Sequence, residues 1–390
     1  MPAVSVRPRP GIATALLLYG AATTAFVAMY LPQPILPVLA RDFGVSASTA
    51  SLSVAALIFS LALASLVVGP ISDRIGRKPV MVASSLLLAL PSLLCALAPS
   101  MAALLAWRLV QGALLPGITA IGVAYLAEEF EAEWLGPLLG GYIASNVLGG
   151  LVSRVMSGAV TELFGWPWAF VASALLSLLA GTLLWLWLPA SRRFEAEGRL
   201  GQAYRGMLGH LGNPRLLGAY AVGFALFFAF MAVFTYLPFY LEAPPFGFSP
   251  ASIGLVYVVY AAGMVSSPAA GLLVGVMTRQ RIMMWALLLL VLANLATLRA
   301  ETAPLVSSLL LLCFANFATQ STATAYVAAR AERNRAGATA LYLFAYYAGG
   351  GLGAYLPGLF WPGYAWPGVV GLTVVALLLA FAAAWRLCRD

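Results

Sequence analysis

Of the 390 residues, 62% are hydrophobic and only 9% charged, whereas soluble domains are roughly 45–50% apolar. That balance excludes a water-soluble globular enzyme and points to a chain that lives in hydrocarbon. The net charge of +8 would suit a nucleic acid, but its distribution along the chain argues against one. At about 20 residues per span, this length holds about a dozen membrane helices. Apolar runs lie at 12–34, 48–71, 79–98, 101–126, 135–159 and 167–188, then at 216–241, 250–277, 282–298, 304–328, 336–360 and 367–386. Between the two sets, the polar stretch 189–215 links an N-terminal half (1–188) to a C-terminal half (216–390). Of the 21 Lys+Arg, only Arg41 and Arg299 fall in loops on the opposite side, and only Arg108 and Arg154 inside spans. The remainder share one side, which predicts a multi-pass protein with both termini in the cytoplasm. Cys95, Cys313 and Cys388 have no partner or metal-ligand spacing, and the lone His210 lies in a polar loop, so no metal or cofactor is expected.

The first run follows Arg7 and Arg9 without a small-residue cleavage site, so it reads as a span and not a removed signal peptide. It carries Thr23, Thr24, Tyr30 and Gln33, and ends in Tyr30-Leu31-Pro32-Gln33-Pro34. After the second run comes Gly-Pro-Ile-Ser-Asp-Arg-Ile-Gly-Arg-Lys-Pro-Val-Met at 69–81, with Asp73, Arg74, Arg77 and Lys78 within six positions. Each charge would cost roughly 2.5–3.5 kcal/mol in hydrocarbon, so this segment is expected to be a tight aqueous loop.

The pattern Gly69-x-x-x-Asp73-Arg74-x-Gly76-Arg77-Lys78 resembles the loop between helices 2 and 3 of major facilitator superfamily transporters. The resemblance implies an all-α fold of twelve membrane helices in two pseudo-symmetric six-helix bundles. It also implies alternating access, with helices 1, 4, 7 and 10 lining a cavity between the halves. In such a family the loop aspartate and arginine meet an acid at the end of helix 4, for which Glu128 and Glu129 are the candidates. Those contacts are expected to latch the cytoplasmic face, with Asp73 near the start of helix 11.

Further along the chain, Arg108-Leu109-Val110-Gln111-Gly112 resembles the R-x-x-Q-G motif of proton-coupled members, which makes Arg108 and Gln111 candidates for coupling or substrate contact. The fifth run holds Gly140, Gly141, Asn146, Gly149, Gly150, Arg154 and Gly158. It is glycine-rich like that of efflux members but lacks their Gly-Pro pair. Arg154 is expected toward the outer end, pairing with Glu162 or attracting an anion. The seventh run offers Phe224, Phe227, Phe228, Phe230, Met231 and Phe234, and the eleventh Tyr342, Tyr346 and Tyr347; such residues suit adaptable apolar pockets. Asn316, Gln320 and Thr324 form an i, i+4, i+8 stripe on the tenth run. No Asp or Glu falls at mid-span on this topology, which favours a neutral or anionic substrate over a cationic one.

The halves repeat one another. Tyr30-Leu31-Pro32 and Phe43-Gly44-Val45-Ser46 recur as Tyr236-Leu237-Pro238 and Phe246-Gly247-Phe248-Ser249. A worn copy of the charged loop, with Gly271, Gly275, Arg279 and Arg281, follows in the second half. The Tyr-x-Pro-Gln-Pro string resembles bacterial drug or sugar efflux permeases, which implies a monomeric inner-membrane antiporter exporting small organic molecules against protons, with lipid as its solvent. An importer or facilitator of an organic anion is the alternative, with Arg108 and Arg154 as its charge partners. A lipid translocator or a non-transporting scaffold is the third.

Overall fold

A computed structural model describes residues 11–191, 207–273, 276–331 and 335–388, all the regular structure among them being helical. Most of the linker arginines and glutamates, Gly275 in the second charged-loop copy, and the turn before helix 11 lie outside the described residues. The first half comprises α1 (Ile12–Asp42, broken at its outer end), α2 (Ala47–Ile75), α3 (Arg77–Ala96), α4 (Met101–Glu129), α5 (Ala132–Phe164) and α6 (Trp166–Trp187). The second begins with α7 (Pro214–Glu242) and α8, which runs as Pro250–Val256, a 3₁₀ stretch Tyr257–Ala261 and Ala262–Leu273. It continues with α9 (Arg279–Ala296) and α10 (Thr302–Arg330). The segment Arg335–Leu387 is two helices, α11 and α12, separated at Ala365, whose φ of 43° breaks the helical path. Dividing that segment, and counting the shorter α8, brings the ten long apolar helices to twelve.

Within the first half α1 packs on α5 and α6, α2 on α4, and α3 on α6. In the second, α7 packs against α11 and α12, α8 on α10, and α9 on α10 and α12. The halves meet along α2–α11 and α5–α8.

The repeat is physical. Gly44 and Gly247 both adopt φ +62°, a left-handed turn that side chains with a Cβ resist. Ser46 and Ser249 then cap α2 and α8, accepting from the N–H groups of Thr49 and Ser252. Pro32 and Pro238 each bring no N–H for the carbonyl four residues before them. In hydrocarbon such carbonyls need another donor. Ala28 O receives Arg108 Nη1 at 2.7 Å, and Phe234 O receives the Tyr257 hydroxyl at 2.6 Å.

The segment 69–81 differs from the expected loop. α2 runs through Gly69, Asp73 and Arg74 to Ile75, Gly76 alone makes the turn at φ +99°, and α3 starts at Arg77. A helix satisfies its own backbone, so it carries the charges out of the membrane without a long connection.

Candidate functional site

The outer halves of α1 and α7 are buried on every side: residues 27–37 and 225–238 are all buried. Between them sits Arg154 of α5, 0% exposed. Its Nε donates to Gln33 Oε1 at 2.8 Å, and Nη2 reaches the same oxygen. Nη1 donates to Gly150 O at 2.6 Å, and Nη2 to the Tyr260 hydroxyl at 3.0 Å. The guanidinium carbon lies 4.0, 4.9 and 4.3 Å from the ring centres of Tyr30, Tyr257 and Tyr260, within cation–π range. The 3₁₀ stretch of α8 explains the last two: residues i and i+3 eclipse in that helix, so both tyrosines present their rings to one point.

The expected pairing of Arg154 with Glu162 is not what forms. Glu162 instead accepts from the Ala251 N–H at 2.9 Å, at the start of α8. Arg154 and Glu162 both leave α5 to bridge to the other half. Glycine permits this contact: a Cβ on Gly254 would stand 2.6 Å from the Arg154 carbonyl oxygen, and Gly158 faces the Pro250 carbonyl equally closely. Further polar contacts close the outer side. Gln33 Nε2 donates to Thr235 at 3.3 Å, Tyr236 to Ser51 at 2.9 Å, and Arg41 pairs with Glu242 at 2.6 Å.

Beside the arginine cage, toward the N-terminal half of α7, lies a buried aromatic cluster. Phe227 stacks on Tyr346 at 4.1 Å with rings 7° apart, and Tyr347 meets it edge-on at 6.0 Å. Phe230 joins this group to the cage, 5.1 Å from Tyr260 and 5.8 Å from Phe317. Asn316 is 1% exposed with neither amide atom hydrogen-bonded, and the Asn146 Oδ1 is likewise buried without a partner. Buried amides cost free energy when unpaired, so these two point to a ligand. Gln320 is half-buried, while Thr324 is exposed and bonds back to the Gln320 carbonyl at 2.8 Å; of the stripe, only Asn316 lies next to a member of the aromatic cluster, Phe317.

Arg108 and Gln111 lie elsewhere, inside the first half. Arg108, 0% exposed, donates to Ser53 O, Ala28 O, Met29 O and Gln111 Oε1 at 2.6–2.7 Å. Gln111 in turn donates to Ser92 at 2.8 Å. The guanidinium is committed to holding the break in α1, and thereby to placing Tyr30 and Gln33.

At the turn between α2 and α3 Arg77 donates to Asp73 and to both oxygens of Glu128. Glu129 turns away and accepts from Ser191 at 2.7 Å where the chain leaves α6. Arg74 is exposed and Lys78 half-buried. Tyr257, Tyr260, Phe317 and Thr235 were not singled out from the sequence. Tyr257-Val-Val-Tyr260 carries a weak signal, two tyrosines at i, i+3 inside an apolar run.

The model for the Major Facilitator Superfamily matches residues 18–265. The inner membrane transport protein YnfM of Escherichia coli is 34% identical, the alignment covering 96% of this chain and 90% of that protein. The MFS-type transporter YybF of Bacillus subtilis is 33% identical, covering 95% of this chain and 92% of that protein. Among solved structures, an inward-facing, unoccupied bacterial homologue of the human lysosomal transporter Spinster superposes with a TM-score of 0.80. It is 16% identical and the match covers 96% of this chain and 97% of that one. With its twelve apolar helices in two repeated halves, this chain belongs to the major facilitator superfamily and is a multi-pass membrane transporter.

Proposed function

We propose that this protein is a monomeric secondary transporter of the bacterial inner membrane that exports small organic molecules in exchange for protons. The observation that carries this reading is the buried aromatic cluster of Phe227, Tyr346 and Phe230 with the unpaired Asn316 amide, next to a cage built from both halves; we read this cluster as the wall of a substrate chamber. The outer seal above it belongs to one of the two states that alternating access requires. Stacked aromatics suit a substrate with an aromatic or apolar body. The proton in this reading rests on the resemblance of the R-x-x-Q-G string to proton-coupled members, its arginine here being spent on the α1 break, and the one-sided placement of Lys+Arg supports cytoplasmic termini.

The test is counterflow and pH-driven uptake of aromatic compounds in proteoliposomes. Removing the Phe227 ring takes away about 1.4 kcal/mol of substrate contact, within the range of one aromatic pair. Phe227→Ala and Tyr346→Ala are therefore expected to lower kcat/KM about tenfold. Unchanged transport in both variants would move the substrate site elsewhere, and accumulation indifferent to the pH gradient would remove the proton.

The cytoplasmic cluster is the second moving part of this reading. Asp73, Arg77 and Glu128 tie α2, α3 and α4 into one unit whose charge can meet the start of helix 11 when the cytoplasmic side closes. Helix N-termini favour negative charge. In Asp73→Asn, labelling of a cysteine placed in the cytoplasmic cavity should rise about fivefold, equivalent to ~1 kcal/mol of lost latch energy. Equal labelling would leave the cluster a topology signal only.

A further inference from the structure

The two buried arginines are held in different ways. Arg108 is bound by acceptors of one half, three of them backbone carbonyls, and stays with that half whatever the other does. Arg154 is bound within its own half by Gln33 of α1, the Gly150 carbonyl and the Tyr30 ring, and across the interface by the Tyr260 hydroxyl and the rings of Tyr257 and Tyr260 of α8; apart from Gly150, these are exchangeable side chains. All these partners are neutral. Among the described residues no carboxylate reaches Arg154, so a full positive charge sits in the membrane interior with no counter-charge.

Gln33 is the hinge of this arrangement. Its single amide oxygen takes two guanidinium N–H groups, the fork that a carboxylate would occupy. Its amide nitrogen, meanwhile, reaches Thr235 at 3.3 Å and Met231 Sδ at 3.8 Å on α7. One side chain therefore joins Arg154 to the outer seal. Directly cytoplasmic to it lie Phe230 and Phe317, in ring contact with Tyr260, and on the same helix as Phe317 stands Asn316 with its unpaired amide.

We propose that Arg154 is the charge-recognition residue for an organic monoanion, a carboxylate on an aromatic or apolar body, and that Gln33 stands in for this carboxylate when the site is empty. The carboxylate takes the guanidinium fork, the body lies against Phe230 and Phe317, and Asn316 bonds a polar substituent. Displaced from Arg154, Gln33 loses its fixed geometry toward Thr235 and Met231, and the seal between α1 and α7 loosens. Loading from the chamber thus favours outward opening. This proposal rests on the chamber being the substrate site.

The test is direct binding to the detergent-purified protein of three probes of matched shape: 3-phenylpropionate, 3-phenylpropanamide and 3-phenylpropylamine. Wild type is expected to bind the carboxylate at least tenfold more tightly than the amide, and the amine least. Arg154→Gln should bring the carboxylate down to the level of the amide without weakening the amide. Arg154→Lys, which keeps the charge should the glutamine variant not fold, should retain the order carboxylate, amide, amine. Gln33→Ala should tighten carboxylate binding and raise labelling of an outer-seal cysteine at Ile35. Amide binding equal to carboxylate binding in wild type, with both weakened by Phe227→Ala, would overturn the charge assignment and leave the chamber standing. Binding of all three untouched by Phe227→Ala, or no binding of any to folded protein, would overturn the chamber and the charge assignment with it.

Discussion

Arg108→Ala is expected to destabilise the protein by about 3–6 kcal/mol, taking ~1.5–3 kcal/mol for each of two charge-assisted hydrogen bonds to carbonyls with few other donors. Those carbonyls are Ala28 and Met29, at the end of the α1 helix where Pro32 interrupts the ladder. Water would rescue them in a soluble protein; the hydrocarbon interior supplies none. The measurement is the unfolding midpoint of the purified protein in detergent, with Arg108→Lys expected to recover only part of the loss because a lysine lacks the planar fork. The diagnostic variant is Pro32→Ala added to Arg108→Ala. It restores an N–H to Ala28 and should return some stability, whereas Pro32→Ala alone should return none. Additive effects in that double-mutant cycle would mean that the arginine does not act through the broken turn.

Gly254→Leu should abolish transport by preventing the outer side from closing. The Cβ alone would stand 2.6 Å from the Arg154 carbonyl, and the remaining side chain has no space between α5 and α8. Overpacking of this kind costs about 1–3 kcal/mol even where neighbours yield, which shifts a two-state equilibrium roughly five- to 150-fold. If the α5–α8 seam parts in the other state, the variant should fold and accumulate outward-open. A cysteine at Ile35, 0% exposed in the sealed state, should become reactive to an impermeant maleimide from the outside. Unaltered reactivity would show that the α5–α8 seam is not what closes this face. By contrast, loss of the exposed Arg41–Glu242 pair should matter little, because surface ion pairs are worth about 0–1 kcal/mol.

Much of this was legible in the chain. The Gly69–Lys78 pattern, the paired Tyr-Leu-Pro strings and the one-sided basic residues report local or additive physics: turn geometry, helix-breaking and the cost of charge in lipid. Each survives in a linear sequence because it depends on near neighbours or on the solvent. The roles of Arg108 and Arg154 were not legible in the same way. Arg108 reads as a coupling or substrate residue in R-x-x-Q-G and Arg154 as a partner of Glu162 or an anion, and only the crossing of helices decides that one meets backbone carbonyls and the other tyrosine rings. Glu162 lay two turns from Arg154 on the same helix, which suggested a pair. The contact does not form because eight residues put about 12 Å of helix rise between them, and Arg154 is taken by Gln33, Gly150 and Tyr260 while Glu162 accepts from the Ala251 N–H.

The amino-acid sequence by itself determined the membrane solvent, the number of spans, the internal duplication and the residues that could carry charge. Tertiary structure decided which charges are spent and which are available, since hydrogen-bond saturation belongs to helices brought together from distant parts of the chain. The 3₁₀ turn in α8 makes the point at its smallest scale. Two tyrosines three residues apart become one wall of a cage only because that turn tightens and faces Arg154 across the interface.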